Sequence, residues 1–218
     1  MPLAIIVRRI LTTLIWLIWV AFLVYGIIAV GLSPFAIIPL CWLIFILYWW
    51  ITAFRAKATA ETQSYASAMA HRIPVIVAWL LLADWRLGYP MNMELISRTR
   101  GVLLTGDFIC VLGLLVTIWA RRTLAGNWSS DVTFKKDHEL IRTGPYRFAR
   151  HPIYTGLLIM MLGSAIEIGM LRGFIGLAVI FIGFWIKLKQ EERLMLLHFP
   201  DQYPVYCREV KALIPFIL

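Results

Sequence analysis

The sequence predicts an all-α, polytopic integral-membrane protein with about five to six transmembrane helices, and three observations carry that prediction. Of 218 residues, 61% are hydrophobic and the mean hydropathy is +0.80. An average soluble domain is about 45–50% apolar, so these side chains exceed what one soluble core buries. The charged residues, 15% of the chain, cluster between long apolar runs, the distribution expected where lipid is the solvent. Finally, the net charge of +9 falls unevenly among those connecting segments, as it does in membrane proteins whose cytoplasmic loops are basic.

A spanning helix needs roughly 20 apolar residues to cross about 30 Å of hydrocarbon. Ile10 to Val30, Phe35 to Phe54 and Gly101 to Ala120 meet that length without interruption. The first follows Arg8 and Arg9 but has no small-residue cleavage site after it, so it reads as a retained span, not a signal peptide. Gly31 to Pro34 is long enough only for a turn, which makes the first two spans a helical hairpin. Ile73 to Leu87 is shorter and carries Asp84 and Arg86 at its exit. Ile153 to Leu171 has Glu167 near its end, and a tight link leads into Gly173 to Ile186.

With six crossings and an inside N-terminus, Arg86, Arg98, Arg100 and Arg172 are the only Lys or Arg left outside, so the positive-inside rule places both termini in the cytoplasm. Cys41 and Cys110 lie in apolar runs and Cys207 stands alone, which excludes a disulfide framework and a Cys-x-x-Cys metal site. No basic helix or aromatic-basic platform supports nucleic-acid binding, despite a pI near 9.8. Without a repeat, low-complexity tract or linker, residues 1–218 read as one membrane domain: helices in 1–120, and most of the polar chemistry in 121–218.

Two constellations could carry that chemistry. The first is GPYRFARHPIYTG, Gly144 to Gly156. Gly144-Pro145 signals a turn, and Pro152 suits a first helical position because its missing N–H would be unpaired there anyway. His151, preceding a proline, is held away from helical geometry. A helix start flanked by Arg147 and Arg150 suits an anionic group, or equally a set of headgroup-level anchors. The second constellation holds Lys187, Lys189, Gln190, Glu191, Glu192 and Arg193, then His198, Tyr203 and Tyr206. Glu191 and Glu192 should point about 100° apart, one toward the protein and one toward water. Asp107 lies two turns into an apolar run, where an ionisable group is costly and therefore a functional suspect. No Gly-rich nucleotide fingerprint, phosphate loop, G-x-S-x-G elbow or H-E-x-x-H is present.

The blocks Arg122 to Gly156 and Glu191 to Phe216, with their R-H-P-x-Y-x-G core, downstream acidic pair and spaced tyrosines, resemble the isoprenylcysteine carboxyl methyltransferase family and its phospholipid N-methyltransferase relatives. The resemblance covers the C-terminal half; related blocks also occur in membrane sterol reductases. It implies an integral-membrane enzyme using S-adenosylmethionine, held in a cytoplasmic pocket between the last helices and the C-terminal tail. A lipophilic or lipid-anchored substrate would reach it from the membrane lipid. Carried over residue by residue, Arg150, His151, Pro152, Tyr154 and Gly156 would form the cofactor wall with Tyr146 at its edge, and Glu191 and Glu192 would complete it.

Methyl transfer is an in-line displacement in which the enzyme chiefly aligns nucleophile and sulfonium methyl. A carboxylate nucleophile is already ionised and needs only an orienting cation, such as Arg150. Where the resemblance would have arginine near the acidic pair, this chain has Lys187 and Lys189, which lack the planar fork. An amine nucleophile would have to lose a proton, with Glu192 or His198 as acceptor. The expectation is therefore a carboxyl O-methyltransferase-like enzyme with Arg150 and Glu192 at the reacting end. The alternatives are a phospholipid or amine N-methyltransferase, an NADPH-dependent sterol-type reductase, and a non-enzymatic membrane scaffold or small transporter.

Overall fold

The computed structural model describes residues 21, 24, 37–53, 59–62, 65–83, 85–128, 133–135, 139–215 and 217. The first expected span, Ile10 to Val30, the turn after it and Asp84 fall outside the described residues, save for two helical positions at 21 and 24. The chain divides into two compact units, Met1–Thr52 and Ala53–Leu218.

The first unit contributes α1, Ile37–Ala53, which lies within the expected second span. Its buried positions Ile38, Cys41, Trp42, Ile46 and Trp49 recur at three- and four-residue spacing, so they share one face. Phe45 and Trp49 pack along it with ring centroids 4.4 Å apart.

In the second unit the helices are α2, Tyr65–Ala83; α3, Arg100–Leu124; α4, Pro152–Ile168; α5, Leu171–His198; and α6, Gln202–Glu209. One departure from the all-α expectation is a short antiparallel ribbon, β1, Thr59–Thr62, paired with β2, Thr133–Lys135. Segments of three or four residues are too short for a period-two pattern to show. α2 begins eight residues before the expected Ile73 and stops short of Leu87, because hydropathy registers only the apolar part of a helix whose first turns hold His71 and Arg72. α5 departs most. It continues twelve residues beyond the expected end at Ile186, since Lys, Gln, Glu, Leu, Arg and Met are all good helix formers even where the chain leaves an apolar environment.

α3 starts at Thr99, whose hydroxyl accepts a bond from the Val102 N–H at 3.3 Å, a standard N-cap. α4 opens with Pro152 at its first position and closes on Gly169 at φ +68°, where a Cβ would collide with the Ile96 carbonyl. Two residues then turn the chain into α5. Leu95 and Ile96 donate to the Gly169 carbonyl, and Leu171 and Arg172 donate to those of Met93 and Met91, fastening this turn to the loop before α3. Arg172 also reaches α2, donating to the Leu81 and Leu82 carbonyls at 2.9 and 2.6 Å, which satisfies acceptors that a helix end leaves open.

α3 and α4 approach through glycines spaced seven residues apart on each. A Cβ at Gly106 would lie 2.8 Å from the Gly163 carbonyl oxygen, and one at Gly113 would lie 2.6 Å from that of Gly156. Small residues that let backbones touch are the usual device where no hydrophobic effect drives helices together. The opposite faces stay apolar and exposed: Phe108 is 70% exposed, and Leu104, Leu115 and Trp119 on α3 and Ile73, Ile76 and Leu80 on α2 are about half so. Apolar surface on this scale marks a membrane-facing or interaction surface. Among the described residues, Arg100–Asn127 and Leu171–His198 are long and apolar enough to cross a membrane, while Ile37–Ala53, Met69–Ala83 and Pro152–Ile168 are shorter apolar helices.

Candidate active site

The entrance to α4 and the charged end of α5 meet. His151 takes φ −124°, ψ 58°, the non-helical geometry expected before proline. The segment leading into it is pinned by the tail: Arg150 N–H donates to the Lys211 carbonyl at 2.8 Å and His151 N–H to that of Ala212 at 2.9 Å. The Thr155 hydroxyl, one turn into α4, donates to the Leu213 carbonyl at 2.7 Å. Residues 211–213 therefore act as a strap across the start of α4.

Onto this platform α5 brings both acids. Arg150 donates to one oxygen of Glu192 twice, from Nε at 2.9 Å and Nη2 at 2.6 Å, while its Nη1 reaches the Cys207 and Val210 carbonyls. Glu191 accepts the Tyr154 hydroxyl at 2.6 Å, and Lys187 lies one turn earlier with Nζ 3.9 Å from the same oxygen. His151 sits between the two acids, Nδ1 3.5 Å from Glu191 and Nε2 3.4 Å from Glu192. The expectation that one acid faces water is corrected: both engage the α4 entrance, because the guanidinium, imidazole and phenol there span the arc between adjacent helical positions. Rings line the cluster: His151 stacks on Tyr154 with centroids 5.6 Å apart, and Tyr154 on Phe184 at 4.9 Å.

Burial disfavours a charged imidazole at His151, but the two carboxylates outweigh it and raise its pKa above the usual value of 6.5. In α6, burial pushes the Tyr203 phenol well up, with the nearby carboxylates adding to the effect, so its hydroxyl stays protonated. The Tyr206 hydroxyl donates to the Tyr146 carbonyl, and Arg142 pairs with Glu209 while standing over the Tyr206 ring at 5.1 Å. α6 is thereby fixed to the turn Gly144–Arg147.

Other expected residues go elsewhere. Pro152 is buried at the first position of α4. Gly156 faces α3, where a Cβ would collide with the Thr117 hydroxyl and come within 2.8 Å of the Gly113 carbonyl oxygen. Arg147 is exposed and stacks over Phe148 at 4.8 Å. His198 closes α5 nearly two turns past Glu191. Asp107 is buried beside Glu167 on α4, thirteen residues or about 20 Å along that helix from Tyr154. Sequence reasoning missed Phe184, a stacking ring hidden in an apolar run. It also missed the Cys207 and Val210 carbonyls, for which side-chain identity carries no signal.

The phospholipid methyltransferase family profile matches residues 102–202, which contain both halves of this cluster. A protein-S-isoprenylcysteine O-methyltransferase of Saccharomyces cerevisiae is 28% identical over 162 residues, 71% of this chain and 64% of the relative. One from Tribolium castaneum is 30% identical over 118 residues, 51% of this chain and 41% of the relative. In sequence the chain is similar to isoprenylcysteine methyltransferases. A third such protein, form B of Arabidopsis thaliana, is 30% identical over 115 residues, 51% of this chain and 58% of its own. The chain thus spans less than two thirds of the length of each of these isoprenylcysteine methyltransferases.

Proposed function

We propose that the protein is an integral-membrane, S-adenosylmethionine-dependent methyltransferase acting on a lipophilic substrate, resembling the isoprenylcysteine carboxyl O-methyltransferases. The observation that carries this reading is the junction of Arg150, His151 and Tyr154 with Glu191 and Glu192, a charged and aromatic cluster at the end of apolar helices. Its donor set fits the cofactor. Glu191, with a quarter of its side chain exposed, suits an ammonium or ribose hydroxyls; Tyr154, Phe184 and His151 offer ring faces to an adenine; and Lys187 with the α4 entrance suits a carboxylate. His151 Nε2 is buried without a full hydrogen bond, leaving a donor for a ligand. Tyr146, Pro152 and Gly156 would support this wall from behind.

When bound, the cofactor supplies an electrophilic methyl on a sulfonium. The chain's own residues hold the reactants in line and exclude water. Arg150 keeps the Glu192 carboxylate in place at the reacting end, and, with its other donors engaged, it has the second N–H of Nη2 to offer a substrate carboxylate. The phospholipid methyltransferase profile favours amine methylation as a second reading, in which Glu192 would accept the proton lost by the nucleophile. Residues 1–120 would supply membrane helices and 121–218 the catalytic half, with five or six spans and both termini in the cytoplasm.

Calorimetric titration of the purified protein in detergent with S-adenosylhomocysteine, and separately with NADPH, tests this. Saturable binding of the first alone is expected. NADPH binding alone would move the protein to the reductases, and binding of neither by folded protein would favour a scaffold.

A further inference from the structure

His71, in the second turn of α2, is 4% exposed, and its Nδ1 has no hydrogen-bond partner among the described residues. It faces α5: its side chain meets Gln190, and the charges of Lys187 and Glu191 act on it. The approach is close, because a Cβ at Gly183 would lie 2.9 Å from Pro74 Cβ and 3.3 Å from the His71 carbonyl oxygen. Gly183, Lys187, Gln190 and Glu191 recur at the spacing of one helix face, so α2 packs along the face that ends in the acidic cluster. A buried ring nitrogen without a partner is unfavourable unless something hydrogen-bonds it. Of the charges acting on it, Lys187 and the neighbouring Arg72 outnumber Glu191, which favours an anionic partner.

We propose that His71 is an acceptor-binding residue of the site beside Arg150, donating a ring N–H to the carboxylate of a lipophilic carboxylic acid that lies between α2 and the Glu191 cluster. This rests on the reading of that cluster as the methyl-donor site. One carboxylate oxygen forms the new bond to the methyl carbon of the sulfonium donor while the methyl carbon–sulfur bond breaks and its electron pair passes to sulfur. His71 holds the other oxygen, and no proton moves.

The test uses the full chain in detergent, saturated with S-adenosylhomocysteine. The probes are an N-acetylated S-prenyl cysteine as free acid and as its methyl ester, so that partition of the prenyl tail into micelles cancels. The wild type is expected to bind the acid on the order of tenfold more tightly than the ester. His71→Ala should lose that preference while keeping its affinity for S-adenosylhomocysteine within about twofold, and His71→Asn, which retains a donor near Nδ1, should recover part of it. If His71→Ala does not fold, His71→Phe supplies the ring without its nitrogens. The proposal is overturned if the wild type shows no acid preference, if the variant keeps it, or if the variant loses S-adenosylhomocysteine affinity to the same degree. Failure of the wild type to bind S-adenosylhomocysteine would instead sink the reading of the acidic cluster, and the acceptor site with it.

Discussion

Glu191 and His151 are mutually dependent. The Glu191 carboxylate accepts the Tyr154 hydroxyl and stands 3.5 Å from the imidazole, so Glu191→Ala strips partners from two buried groups at once. We expect a loss of S-adenosylhomocysteine affinity of roughly 1–3 kcal/mol, read by calorimetry, in protein that remains folded. The pH dependence follows from the imidazole. Because its folded pKa is raised by the carboxylates, its contribution to stability is complete below about pH 6.5 and fades as pH rises through the raised value. The thermal unfolding midpoint in detergent should therefore fall as pH rises above about 6.5. His151→Ala should flatten that slope, and an unchanged slope would show that folding does not shift the imidazole pKa.

At the scale of elements, the cluster exists because α3, α4 and α5 are held at fixed depth relative to one another. Gly106 and Gly113 on α3 and Gly156 and Gly163 on α4 allow backbone contact that no side chain would permit. Gly113→Ala places a methyl 2.6 Å from the Gly156 carbonyl oxygen, against backbone that cannot yield as a flexible side chain would. It should cost roughly 1–3 kcal/mol, measured as a lower unfolding midpoint. A midpoint equal to wild type would mean that the two helices slide apart freely. The seven-residue glycine spacing is visible in the sequence. Its pairing across two helices is not, which is why Gly156 reads there as part of a cofactor wall when its contacts are with Thr117 and Gly113.

For the molecule as a whole, the tail is the least obvious structural part. Arg150, His151 and Thr155 all bond to backbone carbonyls between Cys207 and Leu213, some sixty residues away in the chain. A protein ending at Glu209 should lose this strap, free Arg150 from the Val210 carbonyl and bind S-adenosylhomocysteine at least about tenfold more weakly. Retained affinity would show that the strap is dispensable.

Apolar runs, basic connecting segments and the two motif blocks are local properties of the chain, and they sufficed to predict a helical membrane protein and to single out Arg150, His151, Tyr154, Glu191 and Glu192, side chains that the structure brings together. Hydropathy and propensity act residue by residue, so they can be read in order. Tertiary structure alone decided that both adjacent acids face the α4 entrance, that α5 runs unbroken through its charged end to His198, and that His71 of α2 stands beside Lys187 and Gln190. Those outcomes depend on which helix faces meet and on backbone carbonyls that every residue carries alike. No sequence pattern distinguishes a carbonyl that will bind Arg150 from one that will not.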